Sequence, residues 1–174
     1  YAIIGGSTFG HEVTHGFDDT GCNYDAEGNL SNWWTDEDKA KFEAKTKMIV
    51  EQFDNYEVVD GLHINGENTQ GENIADLGGL IMGFEAFKKT DQYKNNVIIG
   101  GFTPAQRYFL GHAQAWMMQF RPEALATHVK SDEHAPAKWR VLGPLSNTVE
   151  FYEAFDVKEG DAMWRPADQR VKIW

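Results

Sequence analysis

The chain has 174 residues, of which 41% are hydrophobic and 13% aromatic, enough for one sizeable core that buries about two-thirds of the unfolded surface. A formal net charge of −11 argues against nucleic acid or an anionic membrane surface as partner. No apolar run of about 18 residues is present to span a bilayer, and Cys22, the single cysteine, excludes an intrachain disulfide and is expected as an unpaired thiol in a polar loop.

The first predicted element is a helix from near Ser7 through Gly16, carrying His11-Glu12-Val13-Thr14-His15. Residues four apart share a helix face, so both imidazoles can bind one metal ion. Glu12, next to the first of them, can accept a proton from water at that ion. A metzincin would continue with glycine at 18 and histidine at 21; Asp18 and Gly21 stand there instead, which excludes that class. The stretch from Asp18 to Asn32 is rich in Gly, Asn and Asp and reads as a loop, with Asp18 suited to orient His15 or to cap a turn. Thr35, followed by Asp36, Glu37 and Asp38, combines a hydroxyl cap with acids at the positive end of a helix. Phe42, Ile49, Phe53 and Tyr56 extend that helix to about residue 56 as a buried stripe. His63 is expected in a polar loop.

Gly71 opens the next predicted helix, with Glu72 and Asp76 four apart on one face. Zinc needs a third protein ligand, and a glutamate on a second helix is a common solution that leaves the fourth position open. Glu72 fills that role here, and Asp76 can accept the distal N–H of a ligand histidine and fix its tautomer. Gly78, Gly79 and Gly83 weaken this helix intrinsically; close packing against the metal helix is the expected compensation. Thr103 to Gln106, with Pro104 at the first helical position, forms a capping box. That helix should run to about Arg121, where Pro122 stops it and starts another. Phe109, Trp116, Met117 and Phe120 are expected in the core, and His112 and His128 as structural histidines.

HEVTHGFDDTG (11–21), NLSNWWT (29–35), HINGENTQGENIADLGG (63–79), RPE (121–123), SDEHAPAKWR (131–140) and the final Trp174 resemble the neprilysin family of zinc endopeptidases. The resemblance covers nearly the whole chain in order. It implies a mainly α fold, the helical lobe of a thermolysin-like zincin with an HExxH helix, an ExxxD helix and little strand. It also implies one zinc ion per chain and peptide substrates. By the same resemblance His134 donates to the oxyanion of the tetrahedral intermediate, Asp132 orients it, and Arg140 binds a substrate carbonyl. The family pattern counts Asp76 as catalytic, whereas its spacing suggests a partner for a ligand histidine. Residues 1–174 then correspond to the C-terminal portion of a catalytic domain. The upstream Asn-Ala-aromatic segment and a large helical lid are missing from it. Self-association of the segment and an extracytoplasmic compartment in a bacterium, such as the periplasm, are further expectations. Two alternatives stay open: a zinc-binding fragment inactive in isolation, and an interaction domain with a vestigial metal site.

Overall fold

A computed structural model describes residues 1–173, so the family-like Trp174 lies outside the described residues. The chain is mainly helical. A π-helical stretch, Ala2–Gly10, runs directly into α1 (His11–His15). There follow α2 (Asp36–Asp54), a short hairpin of β1 (Glu57–Val59) and β2 (Leu62–His63), and α3 (Gly66–Lys88). The remaining helices are α4 (Asp91–Lys94), α5 (Pro104–Ala115), α6 (Pro122–Ser131), α7 (Ala137–Leu145) and α8 (Val149–Phe155).

The 23-residue α3 is the central element. Ile74 and Leu77 face a cluster with Phe42, Ile49 and Phe53 of α2. Leu80, Phe84 and Phe87 face a second cluster with Tyr108, Phe109 and Phe151. The glycines leave a third side open to the metal helix. A Cβ on Gly79 would lie 2.5 Å from both the Gly6 carbonyl oxygen and the His11 backbone nitrogen, and one on Gly78 would lie 2.6 Å from Thr14 Cγ2. The two helices therefore touch backbone to backbone, the close packing that the three glycines predict.

Several boundaries differ from expectation. Helical structure begins at Ala2 rather than near Ser7, with widened turns such as Gly6 N–H to the Tyr1 carbonyl at 2.8 Å, because Ala2, Gly6 and Gly10 are buried on this segment. The ExxxD helix begins at Gly66, five residues before Gly71. Asn65 caps it by accepting from the Asn68 N–H, and the Gly66 N–H donates to Asp54 Oδ1 at 2.6 Å. The HExxH and ExxxD helices are thus both present, but with longer leads than the motifs suggested.

The expected polar loop around His63 contains the hairpin, paired Glu57 to His63 and Val59 to Leu62. Asp60 (φ 50°) and Gly61 (φ 74°) form its turn, the left-handed pair that suits two-residue hairpins. The α5 helix has the Thr103 capping box but ends at Ala115, six residues short of Arg121. Beyond it Met117 is 81% exposed and Phe120 is exposed as well, so only Phe109 of the expected core residues there is fully buried. No packing face holds this stretch helical, and Arg121 before Pro122 is extended. Cys22, expected in a polar loop, is instead buried against the α2–α3 cluster; burial, reinforced by Asp18 and Asp19, pushes its thiol pKa up.

Candidate metal centre

The backbone contact between α1 and α3 brings the two motifs face to face. His11 Nε2 and His15 Nε2 lie 3.0 Å apart. Glu72 Oε2 is 3.2 Å from His11 Nε2, and Glu72 Oε1 is 3.4 Å from His15 Nε2. Each far ring nitrogen meets a carboxylate. His15 Nδ1 is hydrogen-bonded to Asp18 Oδ2 at 2.7 Å, and His11 Nδ1 contacts Asp76 Oδ1 at 2.9 Å, away from a straight hydrogen-bond line. Asp18 both orients His15 and closes the following turn, its other oxygen accepting from the Thr20 and Gly21 N–H groups.

This donor set fits zinc. Carboxylates at both Nδ1 atoms keep the protons there, so both Nε2 lone pairs converge with the Glu72 oxygens. Such an arrangement is repulsive unless a cation or a proton lies between them. Tetrahedral zinc with bonds near 2.0–2.1 Å separates its ligand atoms by about 3.3 Å, close to the three spacings observed. In the metal-free chain a proton serves instead. Burial alone would lower the His11 pKa, but the Asp76 and Glu72 carboxylates outweigh it and push it up to about 9. Burial likewise opposes ionisation of Glu72 and Asp76, yet His11 and Arg140 hold both below the usual carboxylate range.

The loop between α6 and α7 completes the site. His134 Nδ1 is 2.8 Å from Asp132 Oδ1, which also accepts the His134 backbone N–H at 2.9 Å. His134 Nε2 then faces Glu72 Oε2 at 3.3 Å. Asn68 of α3 fastens the loop by donating to the Asp132 carbonyl at 2.9 Å, and Ala135 anchors it in the core. Glu12 is exposed next to His11.

Arg140, 7% exposed, lies deeper than a residue expected only to meet substrate. Its Nε donates to Asp76 Oδ2 at 2.7 Å, and its Nη2 donates to Asp76 Oδ1 at 2.8 Å and Glu72 Oε2 at 3.2 Å. Its Nη1 makes no hydrogen bond among the described residues. The Trp116 ring packs 4.0 Å from the guanidinium carbon. His112 is structural as expected: Ser7 Oγ meets its Nδ1 at 3.0 Å, and its Nε2 lies 3.3 Å from the Arg140 carbonyl oxygen. The Asp76–Arg140 pair, the Trp116 shelf and the Asn68 tether have no local signature, because each joins side chains far apart in sequence.

Two histidines one turn apart, a glutamate from a facing helix and carboxylates behind the histidines fit a zincin-type metal centre. The chain belongs to peptidase family M13, whose family model matches residues 1–171. It is 42% identical to the neutral endopeptidase of Lactobacillus helveticus over 97% of this chain and 24% of that protein. Human neprilysin is 37% identical over 97% of this chain and 23% of its own length. The Mycobacterium tuberculosis zinc metalloprotease ZMP1, solved with an inhibitor, superposes with a TM-score of 0.88 at 39% identity, covering 95% of this chain and 26% of that one. The chain thus spans about a quarter of the length of these relatives.

Proposed function

We propose that this chain is the metal-binding part of a zinc endopeptidase that hydrolyses oligopeptides, with one resident zinc held by His11, His15 and Glu72. The convergence of those three side chains at 3.0–3.4 Å carries the proposal. Zinc, when bound, supplies a Lewis acid that polarises the scissile carbonyl and lowers the pKa of coordinated water to about 7.

Glu12, exposed beside His11, takes the proton from the attacking water and delivers it to the leaving amine. His134, held by Asp132, offers Nε2–H to the developing oxyanion; loss of one such donor typically costs about 3–4 kcal/mol at the transition state. Asp76 and Asp18 hold the ligand imidazoles in the tautomer that frees Nε2. Arg140 has Nη1 left to donate to a substrate carbonyl while its other nitrogens hold Asp76 and Glu72. The same reading carries a peptide partner and an extracytoplasmic compartment in a bacterium, which cell fractionation checks.

The test is Glu12→Gln in the full-length protein that contains this segment. Hydrolysis of a quenched fluorescent peptide should fall by about 10²-fold or more with zinc content unchanged, since the base is lost and the ligands remain. Normal turnover in Glu12→Gln would refute the assignment.

A further inference from the structure

A second set of donor atoms converges on Glu72 from the loop between α6 and α7. Glu72, Glu133 and His134 each offer one ligand atom, and all three atoms lie within 4.8 Å of one another. Glu133 is exposed, and its carboxylate makes no hydrogen bond or ion pair among the described residues. His134 is fixed more firmly than its exposure suggests. Asp132 Oδ1 accepts from both its Nδ1 and its backbone N–H, and Asn68 ties the Asp132 carbonyl to α3. The Asp132 contact at Nδ1 orients the ring so that its Nε2 faces Glu72. A histidine whose distal N–H is taken by a carboxylate is arranged as a metal ligand.

In the tautomer that carries its proton on Nδ1, His134 aims its Nε2 lone pair at Glu72 Oε2, 3.3 Å away. Glu72 Oε2 already accepts from Arg140 Nη2 at 3.2 Å, and a proton or a cation between it and His134 Nε2 would relieve the remaining acceptor–acceptor contact. A proton makes His134 an oxyanion donor. A cation makes it a ligand, and the same nitrogen cannot do both.

We propose that His134 Nε2, the Glu133 carboxylate and Glu72 Oε2 form a second site for a divalent cation, and that filling it switches off hydrolysis by taking His134 away from the oxyanion. Imidazole with carboxylates suits zinc among the common divalent ions. This site is weaker than the first because Glu133 is exposed, Glu72 is shared, and two cations close together repel. The inhibitory part rests on the role given to His134 under the proposed function; the binding part rests on geometry alone.

The experiment uses the full-length protein holding one equivalent of zinc, dialysed against increasing free zinc, with bound metal and peptide hydrolysis measured on the same samples. The unaltered protein should take up a second equivalent and lose activity in parallel. Glu133→Gln removes one ligand from an exposed position and should leave activity at one equivalent unchanged. Loss of an outer partner alone lowers metal affinity about 10–100-fold, so loss of this direct ligand should raise the zinc concentration for uptake and for half-inhibition by at least about tenfold. Glu133→Asp keeps a carboxylate and should retain both effects. Equal second-equivalent uptake by Glu133→Gln and the unaltered protein would overturn the site, whatever their activities. Uptake lost in Glu133→Gln, with no hydrolysis by either protein at one equivalent, would uphold the site and defeat the endopeptidase assignment instead.

Discussion

At the scale of single residues, the proposed metal site rests on carboxylates that stand behind its histidines. Arg140 and Asp76 form a buried pair, 7% and 3% exposed, and the pair aims Asp76 at His11. Breaking a buried pair by removing one partner leaves the other charge uncompensated, at a cost of about 3–5 kcal/mol. Arg140→Met should therefore lower the thermal midpoint and weaken zinc retention, besides weakening substrate binding through the lost Nη1 donor. An unchanged midpoint would show that the pair is dispensable. His11 makes a second prediction. Its pKa in the metal-free fold, about 9, stands above the ordinary 6.5 because Asp76 and Glu72 overcome burial. Folding thus gains from the charged form below pH 6.5 and loses that gain as pH rises through about 9. A metal ion must displace the same proton, so uptake by metal-free protein at neutral pH should release about one proton from His11. Affinity should weaken as the pH falls. Calorimetric titration in two buffers of different ionisation heat measures the release, and none at pH 7 would contradict the assignment.

At the scale of elements, α3 is the part on which the rest depends. It carries Glu72 and Asp76 one turn apart, and Gly79 lets its backbone reach the metal helix. Gly79→Ala places a methyl group where the Gly6 carbonyl and His11 nitrogen already sit, and neither is a flexible side-chain end. Overpacking of this kind costs typically about 1–3 kcal/mol. The variant should release zinc faster than the unaltered protein although every ligand is intact, which a chelator-competition assay would record. The convergence of His11, His15 and Glu72 was legible in the sequence because helical spacing puts His11 with His15, and Glu72 with Asp76, on common faces. The starts of α2 and α5 were legible because Thr35 and Thr103 carry their own capping chemistry. The end of α5 and the start of the first helical segment were not. The stop of α5 at Ala115 goes with exposure of Met117, Met118 and Phe120 beyond it, and the early start at Ala2 reflects burial of Ala2, Gly6 and Gly10, the two glycines directly against α3. Arg140 and Asp76 are 64 residues apart, so no local pattern announces their pairing.

At the scale of the whole molecule, the metal face and an apolar surface lie on the same framework. A cavity of about 630 Å³ is lined by Val13, Phe17, Trp33, Leu77, Ile81 and Met82, behind the α1 face that holds the ligands. Ile4 at 64%, Phe9 at 70% and Met117 at 81% exposure add further apolar area. Exposed apolar surface favours association. The 174-residue chain in isolation should sediment as a concentration-dependent mixture, and a monomer at all concentrations would contradict this.

One tight zinc on His11, His15 and Glu72 is the central proposal. Zinc content of the full-length protein after dialysis against metal-free buffer, compared with that of Glu72→Ala, measures this most directly. One equivalent retained by the unaltered protein and lost from Glu72→Ala is the predicted result. No retained zinc, or equal retention by both proteins, would contradict it.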